Sequence, residues 1–427
     1  MNNIVIILTN KIIIYLISLL LVIVIACFFK NKKLATSSLL INWPSVVGLS
    51  SLIYLVVVST TLYSAELTSI VIVVEIVLLF FSTYLMYNLM LKIRFSIEVF
   101  SLNSILIKLL VIFCLIKLFI IIPNLGTYGI FSNGSRIKYL SNGTVPLLLT
   151  YLSTVVNSSI MISIGTRIYI NRISKLDFVT VFVAFVFSLV AGSKGAVFLS
   201  VIYMFLFAWG LGYRFTKIHF INRVVYVILF AASIGLYLSL LAKFSDTSFQ
   251  YRVNISLARF ILSSDARALA SDSIVRELVL SNTHGSLLSE IFKGIAIKLN
   301  APVSDIPLGV AQYAAVYNIN SYTGANAGLS SLILTYFNSY LDLFSIGLSI
   351  IFVLVIVGIG FLTYSLSRRP FQKMISMSFL FTFMLNFVQD YQAFFITAVL
   401  LFVWMVYIFC WRFIFEAINY MPHIEAN

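Results

Sequence analysis

The sequence predicts an all-α fold, a polytopic membrane bundle of about eleven transmembrane helices with one large outward-facing helical loop. Three observations carry this prediction. Hydrophobic residues make up 61% of the 427-residue chain and charged residues only 10%, whereas soluble domains carry roughly 25% charged residues. The apolar residues come in runs of about 20, the length a helix needs to cross a hydrocarbon core about 30 Å thick. Lys and Arg gather in every second short connection between these runs, the asymmetry that marks a cytoplasmic side. An open sheet would leave edge amides unsatisfied in lipid, and the residue alternation of a β-barrel is missing.

The elements follow in order. The run 5–29 is long, lacks a basic start and a small-residue cleavage site, and reads as a retained span rather than a signal peptide. Lys30, Lys32 and Lys33 follow it. Runs 43–63 and 67–90 come next, closed by Lys92 and Arg94. Run 104–122 leads into an outward connection, 123–145. Run 146–166 ends at Arg167, Arg172 and Lys175. Runs 177–192 and 195–212 form an outward hairpin, closed by Arg214, Lys217 and Arg223. Run 223–241 enters the segment 242–326, by far the longest connection. Runs 343–364, 374–388 and 392–411 complete the set, with Arg368, Arg369, Lys373 and Arg412 on the cytoplasmic side. About half of the 28 basic residues thus share one side, which puts the N-terminus outside and the C-terminus in the cytoplasm. The chain divides into N-terminal helices (1–241), the large loop (242–326) and C-terminal helices (327–427). The short apolar run 327–341 leaves an even number of spans open.

The net charge of +14 is largely topological and does not imply a nucleic-acid partner. Cys27, Cys114 and Cys410 all lie in apolar runs without metal spacing or an even count, so neither a zinc site nor a disulfide framework is expected. No cofactor is expected.

Chemistry is expected at the outward face. Structureless loops longer than about 12–15 residues are uncommon and usually functional. Segment 242–326 has the apolar spacing LARFILSSDARALA and the Asp272/Arg276 pair at i, i+4, so a helical subdomain on the membrane surface is predicted. Arg252 and Arg259 are seven apart, nearly on one helix face, just after run 223–241. Guanidinium forks at headgroup depth suit a diphosphate, and Arg276 and Arg136, the latter in the first outward loop, are further candidates for it. Each of them could instead belong to a solvated face laced with salt bridges. The turn AGSKGAVF, 191–198, sets Lys194 between two glycines. It lacks the spacing of a P-loop, and Lys194 is either a cation for an anionic headgroup or a snorkelling lysine. His284 is the only histidine placed outside. Its imidazole suits a general base, with Asp265, Asp272 and Glu277 as rivals. Glu75, inside the third run, either pairs with Lys117 or faces a cavity. Lys108 and Lys117 are near enough to span ends to snorkel.

Three of these features together resemble the oligosaccharide repeat-unit polymerases of bacterial surface polysaccharides, the O-antigen (Wzy-type) family. The turn GSKGA, 192–196, is similar to the family's Gly-Ser-Arg-Gly-Ala-like turn, with Lys194 in the place of Arg. The long basic loop lies between the late spans. The stretch TGANAGLSSLILTYFNSYLDLFSIGLSIIFVLVIVGIG, 323–360, is similar to the family's segment that re-enters the membrane. The Arg-x10-Gly pattern of some relatives is absent from the loop, where only Lys298 and Gly309 have that spacing. The resemblance implies a GT-C-type fold in a bacterial cytoplasmic membrane and a metal-independent glycosyl transfer. The implied partners are the bilayer, donor and acceptor oligosaccharides on undecaprenyl diphosphate, and a chain-length regulator protein. It implies leaving-group stabilisation by Lys194 and, from the loop, by Arg252 and Arg259, with His284 as base. A flippase of lipid-linked sugars is a rival reading, although such transporters show two similar halves and charges deep in their spans. A ligase of the same fold is a second rival, and a structural membrane subunit is a third.

Overall fold

A computed structural model describes residues 20, 23–24, 26–42, 65–122, 144–190, 194–214, 351–386 and 391–420. The elements within them are α1 (Lys32–Ile41), α2 (Ala65–Phe95), α3 (Ile97–Phe100), α4 (Asn103–Ile121), α5 (Thr144–Tyr169), α6 (Lys175–Val190), α7 (Lys194–Leu211), α8 (Ile351–Leu366), α9 (Pro370–Asn386) and α10 (Tyr391–Tyr420). All are helices, as the apolar runs require. Among the described residues, three helical stretches are long and apolar enough to cross a membrane: Asn103–Ile121, Leu148–Tyr169 and Phe394–Ile414. The runs 43–63 and 223–241 and most of 5–29 lie outside the described residues.

The ends of these helices are written in local chemistry. Asn171, at φ 56°, ends α5, and Gly212, at φ +112°, ends α7. Arg172 N–H donates to the Arg167 carbonyl at 3.0 Å, and Tyr213 N–H to the Ala208 carbonyl at 3.0 Å. Both are Schellman closures, in which a left-handed residue turns the chain back onto orphan carbonyls. Pro370 opens α9, where its missing N–H costs nothing. Gln372 Oε1 accepts from the Arg369 N–H at 3.2 Å, the reciprocal half of a capping box.

Helix α5 is the hub, packing against α3, α4, α7, α9 and α10. Its apolar stretch is 67% buried, against 39% for that of α4 and 33% for that of α10. The outer faces of α4 and α10 present Leu115, Phe119, Phe402 and Phe409, all exposed, as helices facing lipid do. Around α5 the contacts are small and polar. Ser159 donates to Ser378 at 2.6 Å, Thr382 to Ser158 at 3.2 Å, Asn157 to Ser200 at 2.7 Å and Ser163 to the Phe100 carbonyl at 2.9 Å. Such bonds contribute only about 0.6 kcal/mol each in membrane proteins, so close backbone approach must supply much of the cohesion. Gly165 provides it: a Cβ there would lie 2.9 Å from both the Met204 carbonyl oxygen and the Phe207 Cβ on α7. Gly165→Ala is therefore expected to lower stability by about 1–3 kcal/mol through overpacking. Gly358→Ala, where nothing lies within 4 Å, is the control and is expected to keep or slightly raise stability, since alanine favours a helix over glycine. Thermal unfolding of the purified protein in detergent distinguishes them, and equal melting temperatures would show that α5 and α7 are not in such close contact.

Three sequence expectations change. The segment 30–42, read as a plain cytoplasmic connection, contains α1, whose Leu34, Ser37, Ser38, Leu39 and Ile41 are buried against α2 and α7. Asn31 caps it, accepting from the Leu34 N–H at 3.3 Å. Ser37 Oγ donates to the Leu206 carbonyl at 2.5 Å, and Asn42 bonds Ser82 on α2. Lys117, expected to snorkel, is buried on α4 with its ammonium 5.5 Å from the Phe113 ring centroid, while Lys108 is exposed. Arg167, read as one of the connection charges, is buried in the last turn of α5. Glu75 falls on α2 with its side chain outside the described residues.

Candidate functional site

The residues that open α7 bring together the backbone and charge features expected of an anion site. Helix α6 ends at Val190 and α7 begins at Lys194. The first backbone N–H groups of a helix have no intrahelical partner, and they carry a partial positive charge that a cation in the same turn reinforces. Helix α6 offsets that charge with Asp177 in its first turn, whereas α1, which opens on Lys32 and Lys33, has no acid there. The first turn of α7 has no acid and begins on Lys194. An anion placed there would relieve the repulsion.

Below that end lies a small cleft of about 30 Å³ between α5, α6 and α7. Asn157, Ile160, Met161 and Ile164 line it from α5, Val181, Ala184, Phe185 and Ser188 from α6, and Ser200, Val201 and Met204 from α7. Its polar atoms sit on one side, where the Asn157 amide donates to the Ser200 hydroxyl. Apart from Ser188 on the α6 wall, the rest is apolar. At about 1.5 Å of rise per residue, Ser200 is about 9 Å along α7 from Lys194 and Met204 about 15 Å.

The opposite end of α6, about 20 Å away by the same rise, holds a buried ion pair. Arg167 Nε faces Asp177 Oδ1 at 2.5 Å, with the two side chains 4% and 3% exposed. Arg167 Nη2 donates to Asp177 Oδ2 at 3.0 Å and to Ser174 Oγ at 3.0 Å, and Nη1 donates to the Ser101 carbonyl at 2.7 Å and to Asn103. Asp177 Oδ2 also accepts from the Ser174 N–H at 2.6 Å and hydroxyl at 2.9 Å, the reach back to the residue before α6 that forms half of a capping box. One guanidinium thereby fastens α5 to the start of α6 and to the α3–α4 corner. Buried and bonded to three elements, the pair holds the fold.

Of the residues expected to act on substrate, Lys194 is placed at the head of α7, and its side chain lies outside the described residues. Arg136, Arg252, Arg259, Arg276 and His284 also lie outside them. Among the described residues no group of three or more His, Cys, Asp or Glu side chains is positioned to hold a metal ion. Sequence reasoning missed the cleft and the Arg167–Asp177 pair. The spacing Ser174-x-x-Asp177 was a usable sign of the latter, since it is a capping-box pattern. No family model, curated protein or solved structure matches the chain.

Proposed function

We propose that this chain is a membrane glycosyltransferase that joins lipid-linked oligosaccharide repeat units into a surface polysaccharide at the outer face of a bacterial cytoplasmic membrane. In this reading it has about eleven spans in a GT-C-like arrangement, with the N-terminus outside. The observation that carries it is the sequence GSKGA, 192–196, whose Lys194 is the first residue of α7, in a first turn without an acid. That pairing favours a diphosphate. The abundance of Arg in the 242–326 loop is in keeping with the same ligand.

The reaction needs no metal or cofactor. A hydroxyl of the acceptor repeat attacks the anomeric carbon of the donor chain. The bond from that carbon to the diphosphate oxygen breaks, and the polyprenyl diphosphate leaves with the electron pair. Lys194, Arg252 and Arg259, with Arg136 and Arg276 as further contacts, stabilise the negative charge that grows on the leaving group. His284 takes the proton from the attacking hydroxyl.

Deleting the gene and profiling the surface glycan tests the reading. Loss of a polymerase is expected to leave glycan one repeat long. Loss of a flippase would leave almost none, and a surviving ladder of lengths would overturn the proposal. As a check on His284, His284→Gln is expected to reduce polymerisation by about 10²–10⁴-fold. Unchanged ladders in that variant would transfer the base role to Asp265, Asp272 or Glu277.

A further inference from the structure

We infer that the corner between α8 and α9, together with the end of α10, binds the phosphate of an anionic phospholipid from the surrounding bilayer. The inference is independent of the polymerase reading. Cations from α2, α9, α10 and the corner itself meet here. Arg369 lies with its guanidinium carbon 4.6 Å from the Trp411 ring centroid on α10, a stacked contact that holds the planar fork in place. Lys92, in the last turn of α2, has its ammonium 4.0 Å from the Phe361 ring centroid and 5.4 Å from that of Tyr364, both on α8. Arg94 follows it on α2, Arg368 precedes Arg369, Lys373 lies on α9, and Arg412 is next to Trp411. Among the described residues the acidic side chains are Glu98, exposed on α3, and Asp177, which Arg167 neutralises. Glu416, four residues beyond Arg412, has its side chain outside the described residues.

A second observation at the same corner asks for an acceptor. The Gln372 side chain is 3% exposed, and its Nε2 has no hydrogen-bond partner. Its Oε1 accepts from the Arg369 N–H, and the two atoms share one carbon, so the donor also lies at the head of α9. A buried donor left without an acceptor is costly. The first turn of α9 has no acid, and its leading N–H groups add partial positive charge. Arg368, Arg369 and Pro370 are exposed, so a phosphate coming from outside meets the guanidinium first and brings an acceptor toward the amide. Beyond Trp411 an acyl chain has a track along α10. Trp411 and Tyr407 have ring centroids 6.2 Å apart, and Tyr407 and Trp404 are stacked at 5.0 Å. Tyr407 and Val403, one turn apart, are both exposed. Trp and Tyr favour the headgroup level of a bilayer, which sets a phosphate at Arg369 and hydrocarbon along Val403. The charge would attract any anion, and the apolar strip beside it selects a lipid.

The test is native mass spectrometry of the full-length protein in detergent, titrated with dioleoyl phosphatidylglycerol, dioleoyl phosphatidylcholine or inorganic phosphate. Phosphatidylglycerol is expected to bind about tenfold or more tightly than phosphatidylcholine, since each basic side chain at an anionic lipid surface contributes about fivefold. Arg369→Gln is expected to weaken phosphatidylglycerol about fivefold. Gln372→Glu keeps the acceptor for the Arg369 N–H and puts a like charge where the donor stood, so it is expected to weaken the lipid about tenfold or more. Lys373→Gln is expected to act in the same direction and serves if the glutamate variant does not fold. The double change Arg172→Gln with Lys175→Gln removes two exposed cations before and at the start of α6 and is expected to leave binding unchanged. Equal affinity for phosphatidylcholine would overturn the inference, as would inorganic phosphate binding as tightly as the lipid. An equal loss in the Arg172 and Lys175 variant would mark diffuse surface charge and overturn it too.

Discussion

Arg167→Ala is expected to destabilise the protein by about 3–5 kcal/mol, the cost of leaving a buried charge without its partner. The substitution strands Asp177, whose side chain is 3% exposed, and removes the donors that reach the Ser101 carbonyl, Asn103 and Ser174. Three junctions loosen at once: the end of α5, the start of α6 and the α3–α4 corner. The effect should be read as a lower melting temperature in detergent and a lower steady-state level in membranes. The paired change Arg167→Met with Asp177→Leu is expected to recover much of the loss, because replacing both partners of a buried ion pair by apolar residues is often neutral. A wild-type melting temperature for Arg167→Ala would show that this pair is not buried in the membrane-embedded protein.

Lys194→Ala is expected to reduce polymerisation by about 10²–10³-fold, the range found when one preorganised electrostatic group is removed. The substitution removes the cation from the first turn of α7, which has no other charged residue, and leaves the helix itself a good alanine start. Protein level and membrane insertion should be unchanged. Lys194→Arg keeps the charge and adds a planar fork suited to phosphate oxygens, so it is expected to retain polymerisation. Arg252→Ala is expected to act in the same direction as Lys194→Ala. Glycan length on gels reports all three, and a normal ladder from Lys194→Ala would remove the leaving-group role.

These two residues show what the sequence made legible and what it did not. The helices Asn103–Ile121, Leu148–Tyr169 and Phe394–Ile414 were readable because a long apolar run in lipid has only one way to satisfy its backbone. The glycines at 192 and 195 punctuate the run near the head of α7. Arg167 was not readable. Charge counting assigns every cation near a span end to topology, and nothing in the composition says that Asp177, ten residues on, will fold back onto it. Helix α1 was hidden for a related reason: Lys32 and Lys33 look like a solvated link, although the next eight residues bury one face. The cleft depends on how three helices cross, which their separate patterns do not encode. Of the candidate site, the sequence supplied residue types, and the structure contributes the head of α7 and the small cleft beneath it.

The bond from Ser37 to the Leu206 carbonyl spans 169 positions of the chain. Ribosomes add roughly 5–20 residues per second, so α1 must wait on the order of 10–30 s for its second wall to be synthesised. During that interval α2 is the one of these two walls already made, and Leu34, Ile41 and the hydroxyl of Ser37 are held in a half-built groove. Biogenesis of this protein therefore has a built-in delay, and the nascent chain is most in need of an insertase or chaperone before α7 arrives.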